Sequence, residues 1–161
     1  MQNQYGNLFN INTIKKITSN ISLTEKQIES ANQWIMKLNE NMLKDEVQNY
    51  PQFALLVLND ILGYEIKEWK LNRDNVEFSF RKSAGEKGVV IEVKGSSTNL
   101  FARQYRNKLE HVTPIEQTWN YIGKSTFDYG ITTNYKEFVL IDRSIGFKNI
   151  HIFNFLDIKK I

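Results

Sequence analysis

No cysteine occurs in the chain, which excludes disulfide frameworks, thiolate zinc sites and cysteine nucleophiles together. The only two histidines, His111 and His151, lack ligand spacing, and no serine elbow accompanies them, so surface or structural roles are expected for both. No apolar run approaches roughly 18 residues and no signal-peptide hydrophobic region follows Met1. A soluble, cytoplasmic protein with no membrane association is therefore expected. Repeats, low-complexity tracts and linkers are also missing, and 161 residues suit one domain with a sizeable core. The net charge of +3 is too small to announce a nucleic-acid partner by itself. What remains is the chemistry of oxygen, nitrogen and metal.

Hydrophobic patterning supplies the elements. Ser22-Leu-Thr-Glu25 resembles a capping box, and Ile28, Ala31, Ile35, Leu38 and Met42 follow at the spacing of an amphipathic helix. Pro51 suits a first helical turn, and Phe53 to Leu62 is apolar on nearly every side before Gly63 stops it, so this second helix should be buried. Tyr64–Lys70, Val76–Phe80 and Val89–Lys94 read as strands of a meander, joined by turns at Asn72–Asn75 and Ala84–Glu86. Pro114 opens a helix to about Lys124, and strands follow at Tyr129–Thr133, Glu137–Asp142 and His151–Phe155, the first two around an Asn134-Tyr-Lys136 turn. The fold class is mixed α/β (α+β): a single domain over 1–161, helical to about residue 63, with a sheet-containing core over about 64–156.

Within that pattern, parity places chemistry. Residues two apart in a strand share a face, so Glu92 and Lys94 project together while Ile91 and Val93 turn the other way. Glu77 and Ser79 likewise oppose Val76, Phe78 and Phe80. If both strands lay their apolar faces on a common core, Glu77 and Glu92 converge, and a pair of hard oxygen ligands is what Mg²⁺ asks of a protein. Asp74 is the rival upstream acid; in a regular strand it shares the apolar face, though a turn or bulge before Val76 would re-aim it. On the Pro114 helix, Ile115, Trp119 and Ile122 form an apolar stripe, and Gln117 and Tyr121 stack on the other side with Asn120 and Lys124. Such a pair can bond a phosphate backbone or hold a catalytic group. From Arg81 to His111, Arg81, Lys82, Lys87, Lys94, Arg103, Arg106 and Lys108 outnumber Glu86, Glu92 and Glu110, so the basic excess lies around the candidate site.

Glu77-Phe78, Val89-Val-Ile-Glu-Val-Lys-Gly95, Thr113-Pro-Ile-Glu-Gln-Thr-Trp-Asn-Tyr121 and Ile131-Thr-Thr-Asn-Tyr-Lys-Glu-Phe-Val-Leu140 occur in one order. In that order they resemble PD-(D/E)xK nucleases carrying a QxxxY motif, most of all the amino-terminal nuclease domains of Type I motor subunits and Type IIG restriction enzymes. The likeness spans about Glu46 to Asp142. It implies a restriction-endonuclease-like core, a central mixed sheet flanked by helices, and a catalytic set of Glu77, Glu92, Lys94, Gln117 and Tyr121. It further implies Mg²⁺ or Mn²⁺ held by Glu77, Glu92 and the Val93 carbonyl, with Glu46 as an early helical acid. Arg81, Arg103, Arg106, Lys108 and Lys124 would grip double-stranded DNA. The family's upstream acid is usually Asp after Pro, and Val76-Glu77 stands in its place here.

The expected activity is metal-dependent hydrolysis of DNA phosphodiesters by a restriction–modification enzyme. Two other readings stand beside it: a catalytically silent module of the same fold that binds nucleic acid or a protein partner, and a small stand-alone housekeeping nuclease. The ending Asp157-Ile-Lys-Lys-Ile161 suggests a piece of a longer protein, in which methyltransferase, specificity or helicase domains would lie downstream.

Overall fold

The computed structural model describes residues 5–65, 69–73, 76–80, 88–105, 111–124 and 127–158. Asp74, Arg81, Arg106, Lys108 and the Ala84–Glu86 turn lie outside them. A two-residue strand, β1 (Gly6–Asn7), precedes α1 (Ile11–Thr18), which Asn10 caps by accepting from the Asn12 N–H and none of whose residues is buried. The next helix, α2 (Glu25–Asn39), begins one cap later than its sequence suggests. Thr24 and Gln27 close a reciprocal capping box there, whereas Ser22 stays outside the helix. Its buried face is Ser30, Ala31, Trp34 and Leu38, because the Trp34 indole N–H donates to the Tyr135 carbonyl at 3.0 Å and sets the phase of the helix. Met42 lies beyond the helix and is exposed.

Pro51 does sit in a first turn, that of α3 (Tyr50–Gln52), which continues as a wider π-helical stretch, Phe53–Ile61. Gly63 ends it at φ +75, a conformation that suits a residue without Cβ. The strands are β2 (Trp69–Arg73), β3 (Val76–Phe80) and β4 (Val89–Val93), then the short β5 (Gln104–Tyr105) and β6 (His111–Val112), which form a small sheet of their own. Helix α4 (Pro114–Lys124) follows, then β7 (Tyr129–Thr133), β8 (Glu137–Asp142), β9 (Asn149–Asn154) and a 3₁₀ turn, Phe155–Asp157. The first strand differs from expectation. Pairing of Trp69 with Phe80 and Arg73 with Val76 draws Asn72 and Arg73 out of the expected turn and into the ladder.

Six strands form one mixed sheet in the order β9-β8-β7-β4-β3-β2, with β1 added parallel along β9. It consists of two antiparallel meanders, β2-β3-β4 and β7-β8-β9, joined at the centre by the parallel pair β4–β7. A parallel pair requires a crossover, and α4 lies within it. Since β4 is central and covered on both faces, all five of its residues are buried. On one face Val89, Ile91, Val93 and Phe78 pack with Trp34, Phe53 and Phe138; on the other Val90, Val139 and Ile141 pack with Ile115 and Ile122 of α4. A Cβ on Gly130 would meet Ile122 Cδ1 at 2.5 Å and Thr118 Cγ2 at 2.6 Å. Glycine in β7 is therefore what lets α4 approach the sheet.

Candidate active site

Strand pairing brings the carboxylates together. Phe78 stands opposite Ile91, so one residue further along the antiparallel ladder Glu77 faces Glu92. Their shared face is the α4 side, where Thr132, the partner of Glu92 on β7, meets Thr118 of α4 with 2.6 Å between hydroxyl oxygens. Glu77, Glu92 and Lys94 are all buried, Glu92 completely. Lys94 leaves the end of β4 with its N–H donating to the Thr133 carbonyl at 2.7 Å. Its ammonium donates to Glu92 Oε1 and, at 3.0 Å, to the Val93 carbonyl. Glu77 Oε1 lies 3.7 Å from the same nitrogen and Glu46 Oε2 lies 3.8 Å from it. Three carboxylates thus surround one cation.

Glu46 arrives by a different route, from the irregular segment between α2 and α3. That segment is fastened to the end of β4: Ser96 N–H donates to the Leu43 carbonyl at 2.9 Å, and a Cβ on Gly95 would meet the Lys44 carbonyl oxygen at 2.0 Å. The Tyr50 hydroxyl donates to Glu46 Oε1 at 3.2 Å, and the Tyr135 hydroxyl donates to the Glu46 carbonyl. Neither tyrosine is foreseen from the sequence. Tyr50 reads there as a break before Pro51, and Tyr135 as one residue of a turn, though a bulky aromatic in a turn is itself a signal worth following.

The electrostatics follow from crowding in a dry place. Burial, and after it the neighbouring Glu77 carboxyl, push the Glu92 pKa up to about 9, with Lys94 acting in the opposite sense. Burial and the carboxylates of Glu77 and Glu46 raise the Tyr50 phenol well above its usual range; burial, Glu46, Asp45 and Glu77 do the same for Tyr135. Both phenols stay protonated and act as donors. Glu77 Oε2 is buried with no hydrogen-bond partner among the described residues. A buried carboxylate oxygen left unsatisfied is costly, and hard oxygen donors of this kind fit a divalent cation. Lys94 nonetheless fills part of the same space, and no group of three His, Cys, Asp or Glu side chains among the described residues is arranged to hold a metal ion.

Helix α4 brings Gln117 and Tyr121 together as their spacing demands, with Gln117 Nε2 donating to the Tyr121 hydroxyl at 2.7 Å. Gln117 is buried, however, and does not lie on a solvent face with Asn120 and Lys124, which are exposed. The covered arc is Pro114, Ile115, Gln117, Thr118 and Ile122, with Thr118 and Ile122 lying directly against Gly130 of the sheet. Trp119 is only half-buried and packs on Phe147 at the margin. Arg103 is exposed, as is His111, and His151 packs against Phe9 with ring centroids 5.3 Å apart. The structure therefore assembles Glu46, Glu77, Glu92, Val93 and Lys94 at one point. No family model, curated protein or solved structure matches the chain.

Proposed function

We propose that this chain is the metal-dependent endonuclease domain of a restriction–modification enzyme, hydrolysing phosphodiesters of double-stranded DNA. One observation carries the reading: Glu77 and Glu92 from paired strands, both buried, and the partly exposed Glu46 from a pinned loop converge on the buried Lys94. The ordered motifs around them support it, as does their resemblance to PD-(D/E)xK nucleases. With the Lys94 ammonium moved off them, Glu77, Glu92 and the Val93 carbonyl, joined by Glu46, would hold Mg²⁺ or Mn²⁺. When bound, such a cation lowers the pKa of a water and offsets charge on phosphoryl oxygens. Lys94 orients the attacking water or stabilises the developing charge, since its ammonium already lies among these carboxylates. The Gln117 amide holds the Tyr121 phenol so that its O–H can reach a phosphate oxygen. Arg103 and Lys124, both exposed, contact the DNA backbone, together with Arg81, Arg106 and Lys108. These backbone contacts would position a duplex without reading its sequence.

A second reading is favoured by the Lys94 ammonium itself, which stands where a cation would have to enter. In that reading the domain is catalytically silent and binds nucleic acid or a protein partner. Calorimetric titration with Mn²⁺ separates the two. The nuclease reading requires heat of binding in the wild type that is lost in Glu92→Gln. Absence of metal binding while a short duplex still binds would leave the silent module as the better account.

A further inference from the structure

Glu46 is the one acid of the site that no strand or helix positions. Something else must fix it. Tyr135, in the β7–β8 turn, is fully buried and holds a positive φ of +69, a conformation for which glycine or asparagine is the ordinary choice. Three contacts keep it there: its N–H donates to Thr133 Oγ1 at 2.9 Å, its carbonyl accepts from the Trp34 indole at 3.0 Å, and its ring packs edge-on against Trp34 and Phe53. So constrained, the phenol donates to the one hydrogen-bond partner it has among the described residues, the Glu46 carbonyl, 89 residues back along the chain.

We propose that Tyr135 is a positioning residue of this site, holding by its hydroxyl the loop that carries the Glu46 carboxylate to Lys94. The inference deepens the nuclease reading and rests on it for its functional meaning. Packing alone would be satisfied by phenylalanine, whereas the strained turn delivers a hydroxyl to a single backbone carbonyl. Residues that orient metal-binding groups typically cost about 10–100-fold in metal affinity when altered. Tyr135 acts through Glu46 and touches no reacting atom.

The test compares Mn²⁺ affinity by calorimetry in the wild type, Tyr135→Phe, Glu46→Gln and the double variant, each first shown to be folded by circular dichroism. The expected result is an affinity loss of about tenfold in Tyr135→Phe, with the double variant no weaker than Glu46→Gln alone. Wild-type affinity in Tyr135→Phe, or losses that multiply in the double variant, would overturn the proposal. A merely structural role would not produce that non-additivity. Carboxyl ¹³C resonances of the metal-free protein give an independent arm that separates this proposal from the nuclease reading. If the wild type binds no Mn²⁺, the nuclease reading fails, while a Glu46 resonance that moves in Tyr135→Phe with Glu77 and Glu92 in place still supports the positioning role. An unmoved Glu46 resonance rejects it.

Discussion

Glu92 has its charged form opposed by burial and by Glu77, and favoured only by Lys94. A carboxyl raised from 4.5 to about 9 in the folded chain binds a proton that the unfolded chain has released across that window. Its contribution to stability is therefore fully present below the lower value and is lost as pH rises towards the upper one. Chemical denaturation of the metal-free protein should show stability declining from about pH 5 to 9, by at most about 1.4 kcal/mol per pH unit from this one group. In Glu92→Gln that decline should be much shallower; an equal slope in both proteins would refute the assignment. Removing one of several crowded carboxylates should also help the fold. Glu77→Gln is expected to raise metal-free stability by roughly 1 kcal/mol while abolishing Mn²⁺ binding, the pattern of a group kept for function at a cost in stability. Thermal melts with and without Mn²⁺ check it.

Among the elements, the turn after β4 bears the most on the site. A methyl group at position 95 would collide with the Lys44 carbonyl oxygen, which is backbone and cannot swing aside. Gly95→Ala should therefore destabilise the fold by ~1–3 kcal/mol and weaken Mn²⁺ binding through the displaced Glu46, both measurable in one titration series. Strands β3, β4, β7 and β8 and helix α4 were legible in the sequence, because alternation, a proline start and clear turns all agreed. So was the convergence of Glu77 with Glu92 and Lys94, which needs only parity and one register. Of the strand expected over 64–70, Trp69 and Lys70 lie in β2 and 66–68 lie outside the described residues; β2 runs on to Arg73 because pairing with β3, and not composition, sets that limit. The phase of α2 is set by a bond from Trp34 to a distant carbonyl, and the close approach of Thr118 and Ile122 to the sheet by a glycine on another element. Contacts of such long sequence separation leave no periodic trace, and the bond from Tyr135 to Glu46 is one of them.

On the scale of the whole molecule, two meanders meet at the β4–β7 pair, and the carboxylate nest sits on β3 and at the end of β4, beside that seam. No helix among the described residues is long and apolar enough to cross a membrane. If DNA is the partner, exposed Arg103 and Lys124 contribute through phosphates alone. Replacing either with alanine should weaken duplex binding uniformly across sequences and reduce the salt slope by about 1, as read by fluorescence anisotropy at several salt concentrations. A loss confined to one sequence would argue instead for base contacts. If Glu77, Glu92, Glu46 and Lys94 form a DNA-cleaving site, nicking of supercoiled plasmid by the wild type and Glu92→Gln, each with Mn²⁺ and with chelator, will report it. Nicking by the wild type that vanishes with chelator and in Glu92→Gln is the predicted result. No nicking at high protein concentration, or equal nicking by the variant, would contradict it.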